Sequence, residues 1–232
     1  MSDSNKAGKG SPRAVRAIVT GATGMVGEGV VHECLNHPGV EAVLVINRKP
    51  CGITHPKLKE LLVRDFFDLA SIANELTGYN AVFFCLGVSS VGLQENEYHR
   101  LTYELTLHAA ETFLRLNPGI VFCYVSGSGT DSTEQGKRMW ARVKGKTENR
   151  LLQLPFRKAY MFRIGYVHPT KGLHNTHKYY YALAWLYPLW RAVFPNYVST
   201  LRDVGIAMIN TVNKGYDKSV LEVRDINALA RK

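Results

Sequence analysis

The chain is short of cysteine, of acidic residues and of long apolar runs, and each shortage excludes a class of protein. Its four cysteines, Cys34, Cys51, Cys85 and Cys123, form no CxxC pair. That spacing suits neither a disulfide scaffold nor a zinc knuckle, and it predicts free thiols in a reducing, cytoplasmic compartment. Cys85 and Cys123 lie in apolar runs, where a thiol behaves as a small buried hydrophobe. Asp and Glu total 19 against 29 Lys and Arg, a net charge of +10. One reading is an anionic partner, the other a solvated basic face. A membrane span needs about 20 apolar residues. The longest run here, Tyr180–Phe194, is shorter, broken by Pro188 and charged at Arg191. It reads as a buried helix or hydrophobic lid, with interfacial membrane contact or a dimer surface as alternatives. No repeat is visible, which excludes a solenoid.

What is present is a globular composition: 232 residues, 46% apolar and 21% charged. Disorder is excluded as the dominant state. Residues 1–13 are polar, with no apolar stretch after their charges, and are expected to form a disordered leader rather than a signal peptide or anchor. From Ala14 onward, short β-branched runs alternate with segments of helical spacing. Strands are expected at Val15–Thr20, Ala42–Ile46, Leu61–Arg64, Ala81–Leu86, Ile120–Val125 and Ala159–Arg163. Several are apolar at successive positions, as in strands covered on both faces. Helices are expected near Gly24–Asn36, Leu69–Leu76, Asn96–Leu116 and Lys137–Leu154. The third places Leu101, Leu105, Ala109, Phe113 and Leu116 on one face. The alternation predicts a doubly wound, mostly parallel α/β sheet over 14–165, followed by a small helical substrate lobe over 166–232. Residues 166–178 read as a loop. Thr200 and Asp203 read as a capping box opening a helix through Asn213, and Ser219–Val223 as a late strand before a short terminal helix.

The sequence AIVTGATGMVGEGVV carries the main functional signal. Gly21, Gly24 and Gly27 follow the first strand and open the first helix, the arrangement that cradles a pyrophosphate. Gly21 suits the sharp turn and Gly24 the close approach of phosphate. Gly27 suits close packing of helix on sheet. Backbone N–H groups at the helix start, around Thr23, Met25 and Val26, would face the phosphates. About twenty residues on, where a site for NAD carries an acid, the chain has Asn47-Arg48-Lys49. Two cations and no carboxylate favour a ribose 2′-phosphate, and so NADP(H) over NAD(H).

With TGATGMVG, the DFFD after the third strand, CLG ending the fourth and YVSGSG after the fifth, the chain resembles an atypical or extended short-chain dehydrogenase/reductase from about Ala14 to Gly165. Within that superfamily, KGKTE at Lys144–Glu148 and FRIG at Phe162–Gly165 look most like the NADPH-binding Tat-interacting-protein group and bacterial NAD-dependent epimerase-like proteins. The resemblance implies that Asp65 and Phe66 border the adenine, and that Cys85, Leu86 and Gly87 line the cofactor cleft. It further implies that Ser126 or Ser128 occupies the active-site serine position and that Lys144 holds the nicotinamide ribose. The superfamily's YxxxK reads here Trp140-Ala141-Arg142-Val143-Lys144. An indole donates a hydrogen bond but is no general acid near neutrality. Ile164 also stands where the related group often has proline.

A replacement acid would come from Tyr166, His168, Tyr179 or Tyr180; otherwise hydride would pass to a flavin or quinone-like acceptor with solvent supplying the proton. His174-x-x-His177 lacks a carboxylate or thiolate to complete a metal set and reads as surface histidines, so no metal is expected. The basic run Lys137, Arg138, Arg142, Lys144, Lys146 scatters its charge around a helix, which argues against nucleic acid. The expected protein is an oxidoreductase binding NADP(H), with a small-molecule substrate under residues 179–197 and a homodimer or protein partner as further options. The alternatives are a catalytically silent NADPH-binding module and an epimerase/dehydratase-like enzyme.

Overall fold

The computed structural model describes residues 14–175 and 196–232. Its strands are β1 (Val15–Thr20), β2 (Val40–Asn47), β3 (Leu58–Leu62), β4 (Ala81–Phe84), β5 (Val121–Val125), β6 (Lys158–Phe162), β7 (Tyr166–His168), β8 (Val198–Thr200) and β9 (Val220–Leu221). The helices are α1 (Met25–Asn36), α2 (Glu95–His99), α3 (Leu105–Leu116), α4 (Met139–Gln153), α5 (Leu201–Asn213) and α6 (Val223–Ala230). Seven strands form one sheet in the order β3-β2-β1-β4-β5-β6-β9, with every neighbouring pair parallel. Strand order reverses between β1 and β4, and in such sheets the crevice at the strands' carboxyl ends takes the ligand.

Alternate residues of the central strands enter two different cores, which is why those strands read as continuous apolar runs. Val15, Ala17 and Val19 of β1 face one layer while Ile18 faces the other. β4 divides likewise, with Ala81 and Phe83 on one side and Val82 and Phe84 on the other. The first layer holds α1, α5 and α6. The second holds α3, α4 and the 3₁₀ turn Ala70–Leu76.

The expected elements form, with instructive shifts. β3 starts three residues before the expected Leu61, because an edge strand pairs on one side only and tolerates Lys59 and Glu60 within it. The helix expected over Asn96–Leu116 is interrupted by a π turn at Arg100–Glu104, which apolar spacing does not reveal. Residues 166–168, expected in a loop, are β7, paired in parallel with β8 through contacts about thirty residues apart. The capping box is present: Thr200 Oγ1 accepts from Asp203 N at 2.9 Å, and Asp203 accepts from Thr200 N at 3.3 Å. The leader 1–13, His177, Tyr179 and the whole aromatic run Tyr180–Phe194 lie outside the described residues.

α4 is pressed against the loop after β5 at Gly145, in the KGKTE motif. A Cβ there would lie 1.7 Å from the Asp131 carbonyl oxygen. Overpacking costs about 1–3 kcal/mol, with the upper end expected here because the obstacle is backbone that a side-chain rotation cannot clear. Gly145→Ala is therefore expected to lower the midpoint of urea unfolding by that equivalent, with the slope unchanged.

Candidate functional site

The glycine-rich turn is built by contact with the neighbouring strand. Gly21 has φ +73°, and a Cβ on it would sit 2.8 Å from the backbone N and Cα of Leu86, just beyond β4. Leu86 N donates to Thr20 Oγ1 at 3.3 Å across the same gap. Gly24 begins the α1 cap, and its N–H donates to Gly21 O at 3.0 Å. A Cβ on Gly27 would meet Gly21 O at 2.2 Å, so what Gly27 accommodates is the turn itself rather than the sheet. Thr23 and Gly24 are exposed at the crevice. Met25 and Val26 open the helix, where first-turn N–H groups have no intrahelical acceptor.

Three side chains that sequence reasoning passed over or gave another role hold this turn. Asn47 is buried, and its Oδ1 accepts from Ala22 N at 3.1 Å. Its Nδ2 donates to Glu60 Oε1 at 3.0 Å, and the same oxygen accepts from Cys51 N at 2.8 Å. Asn47 thus tethers the turn, where the sequence grouped it with the ribose-facing residues. Glu28, buried in the first turn of α1, accepts from the N–H groups of His174 and Asn175, both at 2.7 Å. That brings Asn175 beside Thr23, Arg48, Lys49 and Pro50 around a cleft of about 670 Å³.

A narrower cavity of about 170 Å³ lies on the other side of Arg48. Arg64, Asp65, Leu86, Gly87 and Arg100 contribute to its wall. Asp65 is exposed and accepts from Phe67 N at 2.9 Å, while Phe66, largely buried, also lines this cavity. The Arg100 guanidinium sits 5.6 Å from the Phe67 ring centre. Cys85 is half-buried, and desolvation pushes its thiol pKa far up, so it is no nucleophile.

Beyond β5 the two halves of the KGKTE and FRIG motifs meet as a buried ion pair. Glu148, 1% exposed at its side chain, receives Arg163 Nη2 at 2.5 Å and Nε at 3.1 Å. Ser126 donates its hydroxyl to Glu148 Oε1 at 2.5 Å. Arg163 also reaches Glu222 at 3.3 Å. Ser126 is therefore enclosed and committed to Glu148. Ser128 is half-buried, its N–H donating to Ile164 O at 2.8 Å and its hydroxyl only distantly to Arg163 O, at 3.4 Å.

Lys144 lies one turn after Trp140 on α4. Its Nζ is 3.4 Å from Val125 O and 5.5 Å from the Tyr124 ring centre. Desolvation lowers its pKa to about 8, with the Glu148 carboxylate pulling the other way. The Trp140 ring covers the loop after β5, where Cβ atoms on Gly127 and Gly129 would meet it at 3.8 and 3.7 Å. Other cations of this helix engage neighbours: Arg142 pairs with Glu95 at 2.7 Å, and Lys146 lies 4.9 Å from the Tyr103 ring centre. Tyr166 is on β7, its N–H bonded to Tyr197 O at 3.0 Å and its hydroxyl oxygen shielded from solvent. His168 lines a separate groove of about 700 Å³ with His32, His37 and Arg202, along α1 and α5.

A parallel sheet in this order, with a glycine-rich β1–α1 turn at its carboxyl edge, defines the Rossmann class. The family described as NAD dependent epimerase/dehydratase matches residues 17–138, over half of the chain, and the chain belongs to it. The protein fmp52-1, mitochondrial, of Aspergillus terreus is 28% identical over 160 residues, 65% of this chain and 66% of that protein. Its namesake in Aspergillus oryzae is 27% identical over 156 residues, 63% of each. The chain thus aligns with just under two-thirds of these relatives' length. In fold it resembles the Bordetella bronchiseptica enzyme WbmF in complex with NAD+, at TM-score 0.62 and 16% identity, covering 95% of this chain and 77% of that one. It also resembles the Helicobacter pylori ADP-L-glycero-D-manno-heptose-6-epimerase, at TM-score 0.65 and 15% identity, covering 96% and 82%. Among the described residues no helix is long and apolar enough to cross a membrane.

Two outcomes follow from the ion pair and the lysine. Removing one partner of a buried pair strands the other charge, at a cost of about 3–5 kcal/mol. Arg163→Ala is expected to destabilise the fold by that amount in chemical denaturation. The Lys144 ε-carbon resonance, assigned by its loss in Lys144→Met, is expected to titrate near pH 8. Because the folded protein releases this proton near 8 and the unfolded chain near 10.5, the unfolded state binds more protons between those values. Lys144 therefore makes stability rise with pH across that window.

Proposed function

We propose that this chain binds NADP(H) and acts as an oxidoreductase on a small organic substrate. The observation that carries the reading is the meeting of Arg48 and Lys49 with exposed Thr23 around one cleft at the glycine-rich turn. Backbone N–H groups of Met25 and Val26 hold the diphosphate, favoured by the α1 dipole. Arg48 and Lys49 take the 2′-phosphate by charge-assisted hydrogen bonds. Asp65, Phe66, Leu86 and Gly87 border the adenosine half, and Lys144 holds the ribose on the reactive side. When bound, the nicotinamide supplies hydride chemistry.

Ser128 is the serine that hydrogen-bonds the reacting oxygen, since the Ser126 hydroxyl is held by Glu148. Trp140 excludes water over the loop after β5 and transfers no proton. Tyr166 is the proton donor we favour among the described residues, because its phenol is ionisable and β7 follows directly from the FRIG motif. Residues 166–232 form the substrate-facing part of the chain. The four free thiols fit a reducing compartment.

A second reading, an NADPH-binding module without turnover, is favoured by the indole at position 140. The two separate by NADPH oxidation over a panel of carbonyls, quinones and flavins. Turnover that Lys144→Ala loses supports the enzyme, and a rate equal to that control supports the module. For the cofactor itself, calorimetry at low salt is expected to show NADP+ bound at least about tenfold more tightly than NAD+, a difference of about 1.4 kcal/mol. The double variant Arg48→Ala/Lys49→Ala is expected to erase that ratio. Tighter binding of NAD+ by the unaltered protein would overturn the choice of cofactor.

A further inference from the structure

Glu60 stands on the edge strand β3, and its half-buried side chain is turned toward its own sheet neighbour. One of its oxygens accepts two hydrogen bonds, from Asn47 Nδ2 at 3.0 Å and from Cys51 N at 2.8 Å. These two donors bracket the turn Arg48-Lys49-Pro50, so a single carboxylate oxygen clamps both ends of it.

The effect continues into the glycine-rich turn. A carboxylate only accepts, so Glu60 dictates which way the Asn47 amide faces. Nδ2 must point to Glu60, which leaves Oδ1 for Ala22 N at 3.1 Å. The reversed amide would set its own hydrogens against the Ala22 N–H. Glu60, Asn47 and Ala22 therefore make one path from the edge strand to the phosphate cradle.

The cations on the clamped turn are exposed, and among the described residues neither forms an ion pair. Holding their backbone removes part of the ordering cost that an anion would otherwise meet on arrival. An oxygen engaged by Asn47 and Cys51 is also drawn away from a ribose hydroxyl.

We infer that Glu60 is a positioning residue that sets the preference for the 2′-phosphorylated dinucleotide, by clamping the Arg48–Pro50 turn without touching the ligand. This rests on the NADP(H) reading above. Glu60 acts through geometry, so a neutral acceptor at the same place preserves the effect.

The test is calorimetric titration of the full chain and of Glu60→Ala and Glu60→Gln with NADP+, NAD+ and 2′,5′-ADP, alongside thermal melts. Glu60→Ala is expected to reduce the NADP+ to NAD+ affinity ratio by about tenfold and to weaken 2′,5′-ADP equally. Glu60→Gln, which keeps an acceptor oxygen, is expected to hold the ratio within about threefold of the unaltered protein. Should Glu60→Ala not fold, Glu60→Asp draws the carboxylate back from Cys51 N and gives the same readout. An unchanged ratio in the Ala or Asp variant, or equal weakening of both dinucleotides, overturns the inference while leaving the cofactor reading intact. A preference for NAD+ in the unaltered protein that Glu60→Gln abolishes would make Glu60 a direct ribose ligand, overturning both. Absence of binding to either dinucleotide by the unaltered protein overturns both as well.

Discussion

Two parallel strands, β1 and β4, leave the sheet side by side, and their backbones meet beyond it at a separation that no side chain permits. Gly21 takes a positive φ and lies against the Leu86 backbone, and Gly27 then lies against Gly21. This close approach aims the start of α1 at the crevice and leaves its first-turn N–H groups facing outward. The tethers around it serve the same geometry. Asn47 holds the turn from β2, and Glu28 holds the segment at His174–Asn175 over it. The cleft and its cations stand beside a turn whose path this contact fixes.

On the far side of β4 the governing problem is a carboxylate taken out of water. Glu148 is made tolerable by Arg163 and Ser126, which together occupy both its oxygens. The arrangement draws β6, α4 and the loop after β5 into one unit and uses up one of the two candidate serines. Lys144, one turn before Glu148, is left half-buried against a carbonyl and an aromatic ring. The result is a cationic, poorly solvated position beside an indole.

Legibility in the sequence followed the range of the interaction. Central strands announced themselves, since burial on both faces demands unbroken apolar runs. β3 did not, since an edge strand is free to carry Lys59 and Glu60. β7 did not either, being three residues long and formed only by pairing with β8. The glycine-rich turn and the Arg48–Lys49 pair could be read because both are local to one β-α-β passage. Glu28 and Glu60 drew no reading from the sequence, because partners of theirs lie 146 and 13 positions away. Ser126 and Ser128 are chemically identical in the sequence, and only the buried Glu148 separates them.

By itself the order of residues determined the parallel α/β class, the glycine-rich turn after the first strand and the placing of an indole, which is no acid near neutrality, at position 140. These depend on spacing and residue chemistry within one or two elements, where backbone geometry follows from the residues alone. Tertiary structure decided which acids grip the turn, which serine stays open and how far the Lys144 charge is desolvated. Those outcomes depend on what distant segments bring within 3 Å of one another, and a one-dimensional pattern carries no record of that distance.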